Sequence, residues 1–120
     1  MKALNPIVIS GREVLPIIEG GKGIAVSNGE SSGAWAAAGG IGTFSGGNAD
    51  SRDAAGDVIP WIYHGRTRRE RHEELIAASI KGGITQARIA HEAAMGQGRI
   101  QLLAQAGAIL HPQPGPLIPR

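Results

Sequence analysis

Four consecutive residues, Gly20, Gly21, Lys22 and Gly23, follow an apolar run and put three bare stretches of backbone and one ammonium side by side. Glycines so spaced let the main chain approach a ligand closely, and a lysine among them offers it positive charge. A plain turn between a strand and a helix uses the same residues, and spacing alone favours that reading. Ser45 ends a second glycine-spaced run and is followed by Gly46 and Asn48, so its hydroxyl is a candidate for lining the same pocket.

Other chemistries find less support. The chain has no cysteine, which removes disulfides, thiolate metal sites and a cysteine nucleophile. Ser10, Ser27, Ser31 and Ser45 lack the GxSxG elbow of a hydrolase serine. His72, Glu73 and His91 do not form an HExxH pattern, and the two histidines fall on separate predicted helices, so no metal site is expected. Residues 64–74 hold four arginines against three glutamates, one net positive charge, with Arg69 and Glu73 four apart on a predicted helix. That is the pattern of an internally paired, solvated face. With no interleaved aromatic for base stacking, no nucleic-acid partner is expected.

The elements that must position the glycine loops alternate in kind. Residues 6–10 read as a leading strand with a turn at Gly11-Arg12. Residues 14–19 read as a buried parallel strand, with Pro16 tolerable only where no ladder donor is needed. Asn28 or Ser27 caps a helix with Glu30 in its first turn, Gly39-Gly40 ends it, and residues 41–45 form the next strand. Strand, glycine loop, helix, strand is the grammar of a parallel βαβ unit. A long loop then runs over residues 46–65. Thr67 with Glu70 three residues on is a capping box for a helix over 66–81, and Gly82-Gly83 separates it from a second helix that runs to the Gly96-Gln97-Gly98 break. Residues 101–110 read as helix, and the last ten residues, four of them proline, read as extended or disordered.

The strings PIIEGGKGIAVSNG, AAAGGIGTFSG, YHGRTRRERHEELI and GGITQARIAHEAA, within residues 5–99, resemble the N-terminal part of bacterial nitronate monooxygenases, also called 2-nitropropane dioxygenases. The resemblance implies a (β/α)8 TIM barrel that binds FMN at the C-terminal ends of its strands and oxidises alkyl nitronates with O2. It assigns Gly20, Gly21, Lys22, Gly23 and Ser45 to the flavin-contacting edge, with Lys22 near the reduced ring. In that family the phosphate loops and the catalytic histidine lie later in the barrel, so no residue here inherits a catalytic role.

A closed barrel of this kind takes ~250 residues, ~200 at the least, whereas the chain has 120. The expectation is therefore an α/β, incomplete TIM-barrel fragment over residues 1–100, with a β-loop-α-β start followed by helices, and a divergent segment over 101–120. Poor flavin binding and little turnover follow from it. Two alternatives stand beside it: a piece of a flavin-dependent enoyl reductase, and a non-catalytic α/β fragment that self-associates through its open sheet edge. No apolar run suits a membrane span or a secretory signal, which makes the cytoplasm the expected location and leaves no membrane partner. With 19 glycines and an aromatic fraction of 3%, the core must be made of aliphatic residues, and marginal stability is expected.

Overall fold

In the computed structural model, residues 4–23 and 26–103 are described. Strand β1 (Ile7–Ile9) pairs antiparallel with β2 (Arg12–Val14). Helix α1 (Gly29–Ala37), strand β3 (Ile41–Ser45), helix α2 (Arg68–Ala94) and strand β4 (Arg99–Leu103) follow, and β3 pairs parallel with β4. The chain is thus α/β, with α2 as the crossover between two parallel neighbours.

The β1–β2 hairpin turns on Ser10 and Gly11, both at positive φ (48° and 76°). Two such residues make the turn whose twist matches that of the flanking strands. Arginines fasten this hairpin beneath the parallel strands. Arg99 Nε donates to the Ile9 carbonyl at 2.9 Å and Arg12 Nη1 to the Gly98 carbonyl at 3.1 Å.

Residues 14–19 do not form one continuous strand. Val14 closes β2, and Ile17 N–H donates to the Leu15 carbonyl at 2.7 Å across Pro16, a tight three-residue turn suited to the fixed φ of proline. Parallel pairing with β3 survives in pieces. Leu15 N–H bonds Gly39 O, Ile41 N–H bonds Ile17 O and Glu19 N–H bonds Ile41 O, at 2.8–2.9 Å. Residues 15–19 therefore lie beside β3 in the expected direction, and β3 is the middle of three parallel segments.

Helix α1 starts as expected, with Asn28 Oδ1 accepting from Ser31 N–H at 2.9 Å and Ser31 Oγ accepting from Asn28 N–H. Its interior face is made of small residues. Gly33 lies directly against Ala90 and Ala93 of α2, so even a methyl group there meets their atoms. This closeness replaces large side chains as the source of packing contacts, and the buried apolar residues are Val14, Ala36, Ile41, Phe44, Ala49, Ala90 and Ala94.

Two expectations at the helices fail. Gly82-Gly83 does not separate two helices, because α2 continues through both for 27 residues. Gly82 is buried against the Ala49 carbonyl, and this tertiary contact outweighs the low helix propensity of glycine, about 1 kcal/mol per residue. His72 and His91 consequently share one helix, ~28 Å apart along its axis. At the far end, Gln101, Leu102 and Leu103 belong to β4, where helix was expected from Gln101. Pairing with β3 decides their conformation over local propensity. The rest of the expected helix and the proline-rich tail lie outside the described residues.

The start of α2 matches its expectation in detail. Thr67 Oγ1 accepts from Glu70 N–H at 3.1 Å, while the Glu70 carboxylate accepts from the N–H groups of Arg66 (2.7 Å) and Thr67 (2.9 Å). Those backbone hydrogen bonds from Thr67 and Arg66 hold the Glu70 carboxyl below its ordinary pKa. Thr67→Ala removes one half of this box and is expected to lower thermal stability by ~1 kcal/mol, read by circular dichroism melting. An unchanged melt would show that the helix needs no such cap. Residues 46–66 carry no helix or strand apart from an isolated bridge between Arg52 and Val58.

Candidate functional site at the C-terminal strand ends

Because residues 15–19, β3 and β4 run parallel, their C-terminal ends lie at one end of the sheet. Residues 20–23, Ser45 with Gly46, and Leu103 meet there. The N–H groups of Gly20, Gly21 and Gly23 find no acceptor among the described residues. Gly20 and Gly23 face open space, whereas Gly21 lies under the Leu103 side chain and Gly46 under that of Leu102. Gly23, at φ +100°, takes a backbone conformation that side chains disfavour.

Lys22 is held rather than free. Its Nζ lies 2.6 Å from Glu19 Oε1, and its N–H donates to Ser27 Oγ at 2.7 Å. The Lys22 side chain remains half-exposed at 48%, while the Glu19 side chain is all but buried. Glu19 also accepts from Ser31 Oγ at 3.0 Å and from Thr43 N–H at 3.1 Å. The side chain thus continues the hydrogen bonding that the backbone of residues 15–19 gives up at Glu19. Burial pushes the Glu19 carboxyl up. The bonds from Lys22, Thr43 and Ser31, together with the Lys22 charge, outweigh it, so the carboxyl lies below its ordinary pKa and stays ionised.

From sequence alone Glu19 is only the end of a strand, and its role as the acceptor at this site comes from the fold. The available signal was a carboxylate closing an apolar run three residues before a lysine. A solvated ion pair needs no such placement, but a buried one does.

Ser45 presents the opposite situation. Its backbone N–H donates to the Ser27 carbonyl at 2.9 Å, but its hydroxyl is buried and has no hydrogen-bond partner among the described residues. A buried hydroxyl without a partner costs about 1–3 kcal/mol, and such groups in a folded chain call for a role.

The charged segment at the start of α2 lies elsewhere and is largely engaged with itself. Arg69 Nε meets Glu73 Oε1 at 3.2 Å, Glu74 accepts from His64 N–H, and Arg71 Nε donates to the Gly65 carbonyl. Among the described residues, no three His, Asp or Glu side chains come together as a metal site would require, and no helix is long and apolar enough to cross a membrane.

Comparison of the chain with protein-family models, with curated proteins and with solved structures gave no match.

Proposed function

We propose that the chain binds the isoalloxazine ring of FMN at the C-terminal ends of its parallel strands, as part of a (β/α)8-barrel oxidoreductase of the nitronate monooxygenase kind that oxidises alkyl nitronates with O2. The observation that carries the reading is the buried hydroxyl of Ser45, without a hydrogen-bond partner among the described residues, at the strand end beside a glycine loop. A flavin ring carries carbonyl oxygens and ring nitrogens along one edge, which is the chemistry a lone hydroxyl and unengaged backbone N–H groups can satisfy.

Each residue has a part in this arrangement. The N–H groups of Gly20, Gly21 and Gly23 orient the ring edge, the absence of a side chain at Gly20 leaves room for its face, and Ser45 Oγ gives or accepts one hydrogen bond. Glu19 positions the loop by holding Lys22, which leaves the ammonium at the rim as a source of positive potential. FMN held by these residues would supply the redox chemistry, with oxygen as the electron acceptor. The described residues contribute binding and orientation, and none is assigned proton transfer.

Ser45→Ala separates this role from a structural one. Removing a partnerless hydroxyl leaves the melting temperature of the ligand-free chain unchanged or raises it, while FMN affinity falls about tenfold, the equivalent of ~1.4 kcal/mol. Gly20→Val is the clean steric test, since apart from its two chain neighbours no described residue lies within 4 Å of the added carbon. Val at position 21 would instead strike Leu103 and mix folding with binding. Unchanged FMN affinity in both variants would rule the site out.

A further inference from the structure

Beside the strand ends the chain carries a second unfilled feature, a groove of about 800 Å³ between α2 and β4. Its apolar walls are Phe44, Ile80, Ile84, Ala87, Ile100 and Leu102. Ile84 is 65% exposed, Ile80 50% and Leu102 51%, so the apolar stripe 80, 84, 87 along one face of α2 stands open. A parallel sheet is normally covered on both faces, and an exposed apolar face of this kind marks an interaction surface.

The edge of β4 is likewise unpaired among the described residues. Arg99 N–H bonds Gly40 O and Leu103 O accepts from Gly46 N–H, both towards β3. By the two-residue alternation of a strand, the N–H and C=O groups of Ile100 and Leu102 point the other way, where no described residue meets them.

The charges at the groove rim identify the occupant. Arg88 and Glu92 lie four apart on the exposed face of α2, yet neither forms an ion pair with the other or with any described residue. An acid and a base at this spacing form a self-complementary patch, since two copies of the helix laid antiparallel can bring each arginine to the other's glutamate.

We infer that a second copy of this chain docks here across a twofold axis, β4 pairing antiparallel with its counterpart and α2 lying along the partner's α2. With the axis at Gln101, Ile100 of one protomer stands opposite Leu102 of the other. These are the residues whose N–H and C=O groups face the edge, so the pairing forms hydrogen-bonded pairs on both sides of the axis. The two apolar stripes then close one groove over the continuous sheet, and Arg88 meets the other copy's Glu92. This dimer takes the β4 edge that the next strand of a closed barrel would use, so it is an alternative to barrel closure on that side. It uses neither residues 20–23 nor Ser45, so the flavin contacts are tested separately.

The test is the mass of the full chain in solution by multi-angle light scattering on a sizing column, over a range of concentrations at low and moderate salt. The wild-type chain is expected to run as a dimer. Arg88→Glu alone and Glu92→Arg alone each place like charges across the axis and should weaken dimerisation about tenfold or more. The double variant Arg88→Glu/Glu92→Arg restores opposite charges and should restore the dimer. Both positions are exposed, so circular dichroism of all variants should match the wild type. A monomeric wild type, a dimer indifferent to either single reversal, or a double variant that fails to recover would each overturn the inference.

Discussion

Glu19→Ala is expected to lower the stability of the fold by about 2–4 kcal/mol in urea or thermal unfolding. Two groups lose their acceptor at once, the Lys22 ammonium and the Thr43 N–H, while the Ser31 hydroxyl keeps the Asn28 carbonyl at 3.2 Å. The lysine is half-exposed and returns to water at little cost. Thr43, by contrast, is buried within β3, and its N–H is left without a partner. Glu19→Gln keeps an acceptor for Thr43 and loses only the charge, so its cost should be smaller, about 1–2 kcal/mol.

The pH dependence of this pair has a defined sign. With its carboxyl below the ordinary value of 4.5 in the fold, the folded chain binds fewer protons in acid than the unfolded one, and stability rises with pH through that window. The contribution of Glu19 is complete above pH 4.5 and is lost as the pH falls through the lower value held in the fold. The stability gap between wild type and Glu19→Gln should therefore be constant near neutrality and close in acid. Glu70 shifts in the same direction but is present in both proteins, so it cancels in the comparison. A gap independent of pH would mean that the Glu19 carboxylate is not held by these bonds.

Gly82→Ala and Gly83→Ala, neighbouring and chemically identical changes, are expected to move stability in opposite directions. A methyl group at Gly82 falls on the Ala49 carbonyl, a backbone atom that cannot step aside without moving the loop after β3. Overpacking of this sort costs about 1–3 kcal/mol even after the gain in helix propensity. For a domain of this size that lowers Tm by ~4–12 °C. At Gly83 nothing lies within 4 Å, so alanine brings only its propensity and stabilises by about 0.5–1 kcal/mol. Equal effects at the two positions would contradict the seating of Ala49 on α2.

That same contact explains why α2 was only partly legible. Its start is written locally, in Thr67 and Glu70, and was readable. Its continuation through two glycines depends on a carbonyl more than thirty residues away in the chain, to which no local pattern points. Leu102 and Leu103 pose the same difficulty, because their composition favours helix and only β3 as a neighbour makes them extended. Pro16 is awkward in a strand on local grounds, but the tight turn it makes between Leu15 and Ile17 goes with the bonding of these neighbours to Gly39 and Ile41, which no local rule states. Where short-range rules suffice, as at the Asn28 cap of α1 and the strand 41–45, expectation and structure agree. At the site, the glycines and Ser45 were legible as a cluster at one end of the strands. Glu19 was not, since its importance comes from partners at positions 31 and 43 that only folding brings near.

The most direct test of the flavin proposal is titration of the purified full chain with FMN and, separately, with riboflavin, followed by quenching of flavin fluorescence. The proposed contacts touch the ring and leave the phosphate to other parts of a barrel. Both flavins should therefore bind saturably, at one per chain, with affinities within about tenfold of each other, less than ~1.4 kcal/mol apart. Absence of saturable binding by either flavin would contradict the proposal, and would leave the strand ends as a turn whose glycines serve packing alone.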